Sequence, residues 1–214
     1  MFTGIVKGLV KIDSLIKKPG AIQFSIELPE YLISGLDTGA SVAVNGVCLT
    51  VIKIDRQQEG GLVWFDAIQE TLERTNLNYL KENDWVNVER SARFGDEIGG
   101  HILSGHIMGT IILQKKEVDV NFSKLTLKAP KAYTKYLFPK GYVALDGVSL
   151  TVVNVDPEGY FTVHLIPETL QRTLFGIKEE GDLINMEIDS QTQIIVDTLE
   201  RIQRENKEKY NGLT

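Results

Sequence analysis

The chain has 214 residues, of which 43% are hydrophobic and 24% charged; this ordinary globular composition excludes wholesale disorder and suits one large domain or two small ones. A formal charge of −6 argues against a nucleic-acid binder that relies on bulk charge, and a single cysteine, Cys48, excludes an internal disulfide and a CxxC metal site. No apolar run approaches about 18 residues, and the N-terminus has neither a basic region nor a small-residue cleavage site. No membrane helix and no signal peptide are expected, and a soluble cytoplasmic protein is the default.

In chain order, 4–12, 22–28, 41–44, 49–54, 62–67 and 85–89 are rich in Val, Ile, Phe, Trp and Thr. Gly, Asn, Asp and Pro break them up, so six short strands are predicted. Asn45-Gly46 is a two-residue hairpin signal. Pro29-Glu30-Tyr31-Leu32 begins with Pro and predicts a short helix.

The next hundred residues repeat this pattern. Residues 41–50 lie over 142–151, with Tyr142 found 101 positions after Ser41, and six of the ten pairs are identical. The same offset lays Thr3-Gly4-Ile5-Val6 over Ser104-Gly105-His106-Ile107. Glu70-Thr71-Leu72-x-Arg74-Thr75 matches Glu168-Thr169-Leu170-x-Arg172-Thr173 at offset 98, as Asp84, Asn87 and Glu89 match Asp182, Asn185 and Glu187. The drop in offset puts a three-residue insertion of the first copy in 55–61. Asp146-Gly147 repeats the hairpin signal and 130–137 the short helix. The repeat unit is domain-sized, so the reading is a tandem duplication: mainly β, two six-stranded antiparallel barrels at 1–97 and 98–188.

From 190 to 210 there is no Gly or Pro, and a helix over 189–210 is predicted with Asp189 or Ser190 as its cap. Ile195, Leu199 and Ile202 form one apolar stripe with Ile194 and Thr198 beside it. Packing on its own barrel and self-association both satisfy such a stripe, and association is favoured. Residues 211–214 are expected to form a frayed tail.

No P-loop, GxGxxG, HExxH or GxSxG pattern and no metal-ligand cluster occurs. Spacing alone gives His101, His106 and His164 no catalytic role. The copies differ where chemistry would sit: Cys48 becomes Ser149, and Ile5 becomes His106. Two alike scaffolds with different reactive groups suit two similar ligands in different roles. Drift, with Cys48 a small buried hydrophobe, is the bland alternative.

Met1-Phe2-Thr3-Gly4-Ile5-Val6, Asn45-Gly46-Val47-Cys48-Leu49-Thr50-Val51, Glu70-Thr71-Leu72, Gly99-Gly100-His101-Ile102, Ser104-Gly105-His106, Asp146-Gly147-Val148-Ser149-Leu150-Thr151 and Ile166-Pro167-Glu168-Thr169-Leu170 carry a resemblance to the riboflavin synthase family over essentially the whole chain. The resemblance implies two lumazine-binding barrels and a C-terminal helix that joins three chains. It implies dismutation of two 6,7-dimethyl-8-ribityllumazine molecules, without metal or cofactor, to riboflavin and a ribitylaminopyrimidinedione. An association with lumazine synthase is open.

Carried over by motif, Gly4, Ile5 and Val6 with Cys48, Leu49 and Thr50 would line a first pocket, completed by Asp66, Ala67, Ile68, Gln69, Glu70 and Thr71. A second pocket would use Gly105, His106, Ile107, Lys140, Ser149, Leu150, Thr151, Leu165, Ile166, Pro167, Glu168, Thr169 and Leu170. The family's reactive site lies between the first barrel of one chain and the second of a neighbour. The implied catalytic groups are Cys48 and Ser41 from one side and His106, Ser149, Thr151 and Asp189 from the other. His106 and Thr151 would assist removal of a methyl proton, Asp189 would polarise Ser149, and Phe2 would close the pocket; His101 ranks behind these. The chain departs from the family at Ile107-Met108-Gly109, where many members carry an Asp two residues after the Gly-His pair. A non-catalytic lumazine or flavin carrier is the competing reading, and a pair of oligonucleotide-binding barrels the third.

Overall fold

The computed structural model describes the backbone of residues 1–211 and the side chains of 1–208; residues 212–214, part of the expected tail, lie outside the described residues. The first copy folds as β1 (Gly8–Lys18), β2 (Ala21–Pro29), α1 (Glu30–Ile33), β3 (Ser41–Val44), β4 (Val47–Gln57), β5 (Gly60–Ile68), α2 (Gln69–Arg74) and β6 (Trp85–Arg90). The second gives β7 (Gly109–Val118), β8 (Ser123–Lys128), α3 (Lys131–Thr134), β9 (Tyr142–Leu145), β10 (Val148–Val155), β11 (Tyr160–Leu165), α4 (Pro167–Arg172) and β12 (Leu183–Ile188). Each set closes an antiparallel six-stranded barrel, β1-β2-β5-β4-β3-β6 and β7-β8-β11-β10-β9-β12, so the duplication read from sequence is a duplication of topology. The insertion appears as a longer hairpin: β4 and β5 have 11 and 9 residues where β10 and β11 have 8 and 6.

Alternation along the strands sets what fills the barrels. Phe24, Ile26, Leu49, Val51, Phe65 and Val88 point into the first, and Leu113, Leu127, Leu150, Val152, Phe161 and Met186 into the second. Each interior is therefore packed apolar core, and the polar residues between those positions stand on the outer wall.

The barrels meet at a waist built from both copies. Asn45 and Gly46, like Asp146 and Gly147, turn β3 into β4 and β9 into β10 with positive φ at both residues, the geometry of a tight type I′ hairpin. The two turns touch: a Cβ on Gly46 would lie 2.6 Å from the Gly147 nitrogen. Around them a buried polar seam repeats itself. The Asn87 N–H donates to Asn45 Oδ1 at 2.9 Å, as the Asn185 N–H does to Asp146 Oδ1 at 2.9 Å.

The first strand of the first barrel starts later than its apolar run predicts, at Gly8 rather than Gly4. The preceding residues have crossed the waist, where Phe2 bridges to Leu103.

The terminal helix α5 (Ser190–Asn211) runs one residue past the predicted end, into the expected tail. Asp189 accepts from the Thr192 N–H and hydroxyl at 2.9 and 2.7 Å, an N-cap. Val196 packs on the second barrel, and Asp197 accepts from Tyr136 at 2.5 Å. Ile194, Ile195, Leu199 and Ile202 stay exposed, so the stripe is not buried on the chain's own barrel.

Candidate functional site

The outer wall of β4 presents Cys48, half-buried, and the exposed Thr50, one pleat apart; β10 presents Ser149 and Thr151 in the same way. Leu49, Ala67, Leu150 and Leu165 were expected among the binding residues, but their side chains belong to the barrel cores. Only their backbone is available to a ligand. Asp66 and Ile68 on β5, the strand next to β4, and Ile166, which directly follows β11 next to β10, are exposed. α2, directly after β5, carries Gln69, Glu70 and Thr71, and α4, after β11, carries Pro167, Glu168, Thr169 and Leu170. Glu70 and Glu168 pair with Arg74 and Arg172 one turn on.

The segments completing these walls are exchanged relative to the sequence reading. Gly4 does not join Cys48. Its carbonyl accepts from the Ser149 N–H at 2.8 Å, and a Cβ there would sit 2.5 Å from Ser149 Cβ. Gly105 does not join Ser149; its carbonyl accepts from the Cys48 N–H at 2.9 Å, and its Cβ would sit 2.6 Å from Cys48 Cβ. Both residues have φ near the left-handed region, +75° and +80°, which glycine alone enters freely. Behind them Val6 packs on the second core and Ile107 within the first. Hence Gly4, Ile5 and Val6 belong with Ser149, and Gly105, His106 and Ile107 with Cys48. The repeat marks the two segments as equivalent, but equivalence does not tell which barrel each one serves.

The second wall carries the contact most suited to proton transfer. His101 Nδ1 lies 2.6 Å from Ser149 Oγ. The ring is 7% exposed, stacks on Tyr142 at 5.0 Å, and its Nε2 has no partner among the described residues. Burial pulls its pKa below the ordinary histidine value, opposed by the charge of Asp189. The imidazole is therefore neutral and a base at neutral pH. The expected Ser149–Asp189 pairing is replaced: His101 is the partner of Ser149, and Asp189 is spent on the helix cap while its charge reaches His101. The 48-residue separation of His101 and Ser149 gives no sequence signal for this pair.

Other expectations fall as follows. Phe2 is no lid; at 1% exposure it fills the waist beside Ala43, Leu103, Ala144 and Cys48. Ser41 sits opposite Thr50 in the β3–β4 ladder, and its carbonyl accepts from the Ser91 hydroxyl. His106 is exposed, its N–H held by Ser104 Oγ at 3.1 Å. Lys140 is exposed at φ +71°, its N–H donating to the Val152 carbonyl. Thus Cys48 and His106 mark one wall, Ser149, His101 and Thr151 the other. Among the described residues there is no cluster of three metal-ligating side chains and no helix long and apolar enough to cross a membrane.

Known proteins place this arrangement. A lumazine-binding domain profile matches twice, at residues 3–91 and 104–189. Riboflavin synthase of Escherichia coli is 51% identical over 99% of both chains. That of Buchnera aphidicola (subsp. Schizaphis graminum) is 44% identical over 94% of this chain and 95% of its own. That of Chlamydia pneumoniae is 42% identical over 94% and 96%. Among solved structures, LumP complexed with riboflavin superposes with a TM-score of 0.80 at 26% identity, over 88% of this chain and 99% of that one. Two matched lumazine-binding repeats and near-full-length likeness to three riboflavin synthases establish that the chain belongs to the riboflavin synthase family.

Proposed function

We propose that this chain catalyses the dismutation of two 6,7-dimethyl-8-ribityllumazine molecules: one donates a four-carbon unit to the other, giving riboflavin and 5-amino-6-(D-ribitylamino)uracil. The observation that carries it is the pair of alike outer walls with unlike reactive groups. A reaction between two copies of one molecule in different roles needs two faces of one shape and different chemistry. Holding two rings in reacting geometry is worth roughly 7–11 kcal/mol, the largest contribution asked of the protein. The heterocycle itself delocalises the carbanion formed at the 7-methyl group, so the reaction runs here without metal or cofactor.

On the second wall, neutral His101 takes a proton from Ser149 Oγ as that oxygen, or a water it holds, adds to a ring. Thr151, one pleat on, assists proton removal from a methyl group. On the first, Cys48 and His106 offer a nucleophile and an exposed base, with Ser41 near the edge. Lys140 reaches ribityl hydroxyls. Phe2 and Asp189 act from behind, one by filling the waist, the other through the charge it lends His101.

The two faces meet between neighbouring chains of a homotrimer joined by α5. What supports this is the exposed stripe Ile194, Ile195, Leu199 and Ile202, each worth about 1.5–3 kcal/mol when buried. A cytoplasmic location fits the single free cysteine, and docking with lumazine synthase would channel the substrate.

The test mixes the purified protein with 6,7-dimethyl-8-ribityllumazine, chelator present and no metal or cofactor added, and follows riboflavin by absorbance. One riboflavin per two lumazines consumed is expected. The likeness to LumP favours a second reading, a non-catalytic carrier, and tight binding without turnover would select it.

A further inference from the structure

We propose that Glu89 and Glu187 are positioning residues that act across the waist, each holding for the other barrel the segment that completes that barrel's ligand face. The inference rests on the lumazine-binding reading above.

Glu89 stands on β6, paired with Ala43 in the first barrel, and is 4% exposed. It accepts from the Thr3 N–H at 2.6 Å, the Thr3 hydroxyl at 2.7 Å and the Gly4 N–H at 3.0 Å. The carbonyl of that same Gly4 then accepts from the Ser149 N–H in the second barrel. Glu187 stands on β12, paired with Ala144, and is 3% exposed. It accepts from the Ser104 N–H and hydroxyl at 2.7 Å each and from the Gly105 N–H at 3.1 Å. The Gly105 carbonyl accepts from the Cys48 N–H in the first barrel. The hydroxyls extend the relay: Ser104 Oγ accepts from the His106 N–H at 3.1 Å, as Thr3 Oγ1 does from Ile5 at 3.3 Å.

Three donors converge on each carboxylate. A carboxylate accepts at both oxygens, whereas the isosteric amide presents NH₂ at one of them and can only repel an N–H there. Burying the charge is costly, so a seam needing only cohesion is served as well by apolar residues. The arrangement instead fixes two backbone segments in register with strands of the opposite barrel. A change at Glu187, in the second barrel, therefore acts on the Cys48–His106 face of the first, and a change at Glu89 acts on the Ser149–His101 face of the second.

The experiment uses the full-length protein with 6,7-dimethyl-8-ribityllumazine as probe in titration calorimetry. Thr151→Trp fills the Ser149 face and leaves the Cys48 face to be measured; Thr50→Trp does the converse. Glu187→Gln is expected to weaken binding about tenfold or more at the Cys48 face and by less than about twofold at the Ser149 face. Glu89→Gln is expected to do the reverse. Ser104→Ala and Thr3→Ala remove one donor without touching the charge, and give the same crossed pattern at smaller size if a glutamine variant folds poorly. Weakening within the mutated residue's own barrel, or equal weakening at both faces, overturns the inference. A wild-type protein that binds no lumazine overturns the functional reading as well.

Discussion

The two barrels share strand order, hairpin turns and cross-waist hydrogen bonds, yet they differ where a ligand would lie. The first presents a thiol, with His106 brought to it on an exposed loop. The second presents a hydroxyl, with His101 buried against it at 2.6 Å. Beneath the walls the second copy also has Asp146 where the first has Asn45, with Lys178 Nζ 3.4 Å from its Oδ2. The lesson is that duplication kept the framework pairs, whose loss would cost both domains, while the outward positions were free to take different chemistry.

Breaking the contact that most separates the barrels should have the largest effect. His101→Ala or Ser149→Ala is expected to lower kcat by about 10²–10⁴ if the pair moves the proton. Cys48→Ser, which makes the first wall resemble the second, should cost less, and steady-state kinetics checks the order. Because burial lowers the His101 pKa, activity should persist as pH falls through ~6.5, the ordinary histidine value, and decline only below it. A pH–rate profile breaking at or above that value would give the base role to an exposed group.

Next in size are the crossed glycines. Gly4→Ala and Gly105→Ala put a Cβ 2.5 and 2.6 Å from Ser149 and Cys48. Each should destabilise by about 2–4 kcal/mol, combining left-handed strain and overpacking. Thermal unfolding should show similar losses for both, while the catalytic defects differ because different walls are displaced. Leu199→Glu combined with Ile195→Glu sharpens the comparison of helix and barrels: sedimentation should show monomers with little change in barrel melting.

The smallest effect is expected at the waist. Burial raises the Asp146 pKa above its ordinary 3.8, with Lys178 opposing. A raised folded value means the native state holds the proton more tightly than the unfolded chain. That group's contribution to stability is therefore lost as pH rises from about 3.8 through the folded value. Asp146→Asn should flatten the dependence, as read by urea unfolding over a pH series that starts below 3.8 and rises to neutrality.

Much of this was legible in the chain. Asn45-Gly46 and Asp146-Gly147 encode their turns locally, because few residues tolerate positive φ twice in succession. Alternation along β4 and β10 fixes which residues face the core, and therefore that Cys48 and Ser149 face out. The periodic stripe of α5 announced a helix that its own barrel leaves partly uncovered. These signals lie within a few residues of one another.

The pairing of segments with walls was not legible. Gly4 and Gly105 occupy equivalent places in the repeat, so either exchange satisfies the same local pattern; only packing of Val6 and Ile107 into opposite cores selects one. The partnership of His101 with Ser149, 48 residues apart, likewise depends on chain segments brought together at the waist, whereas the Asp189 cap is local and was readable in the chain. The sequence by itself determined two barrels, their turns, their outward reactive residues and the helix, because those follow from local geometry and periodicity. Tertiary structure alone decided which barrel each crossing segment completes and which groups touch, because long-range contacts are chosen by the fit of whole surfaces rather than by any short pattern.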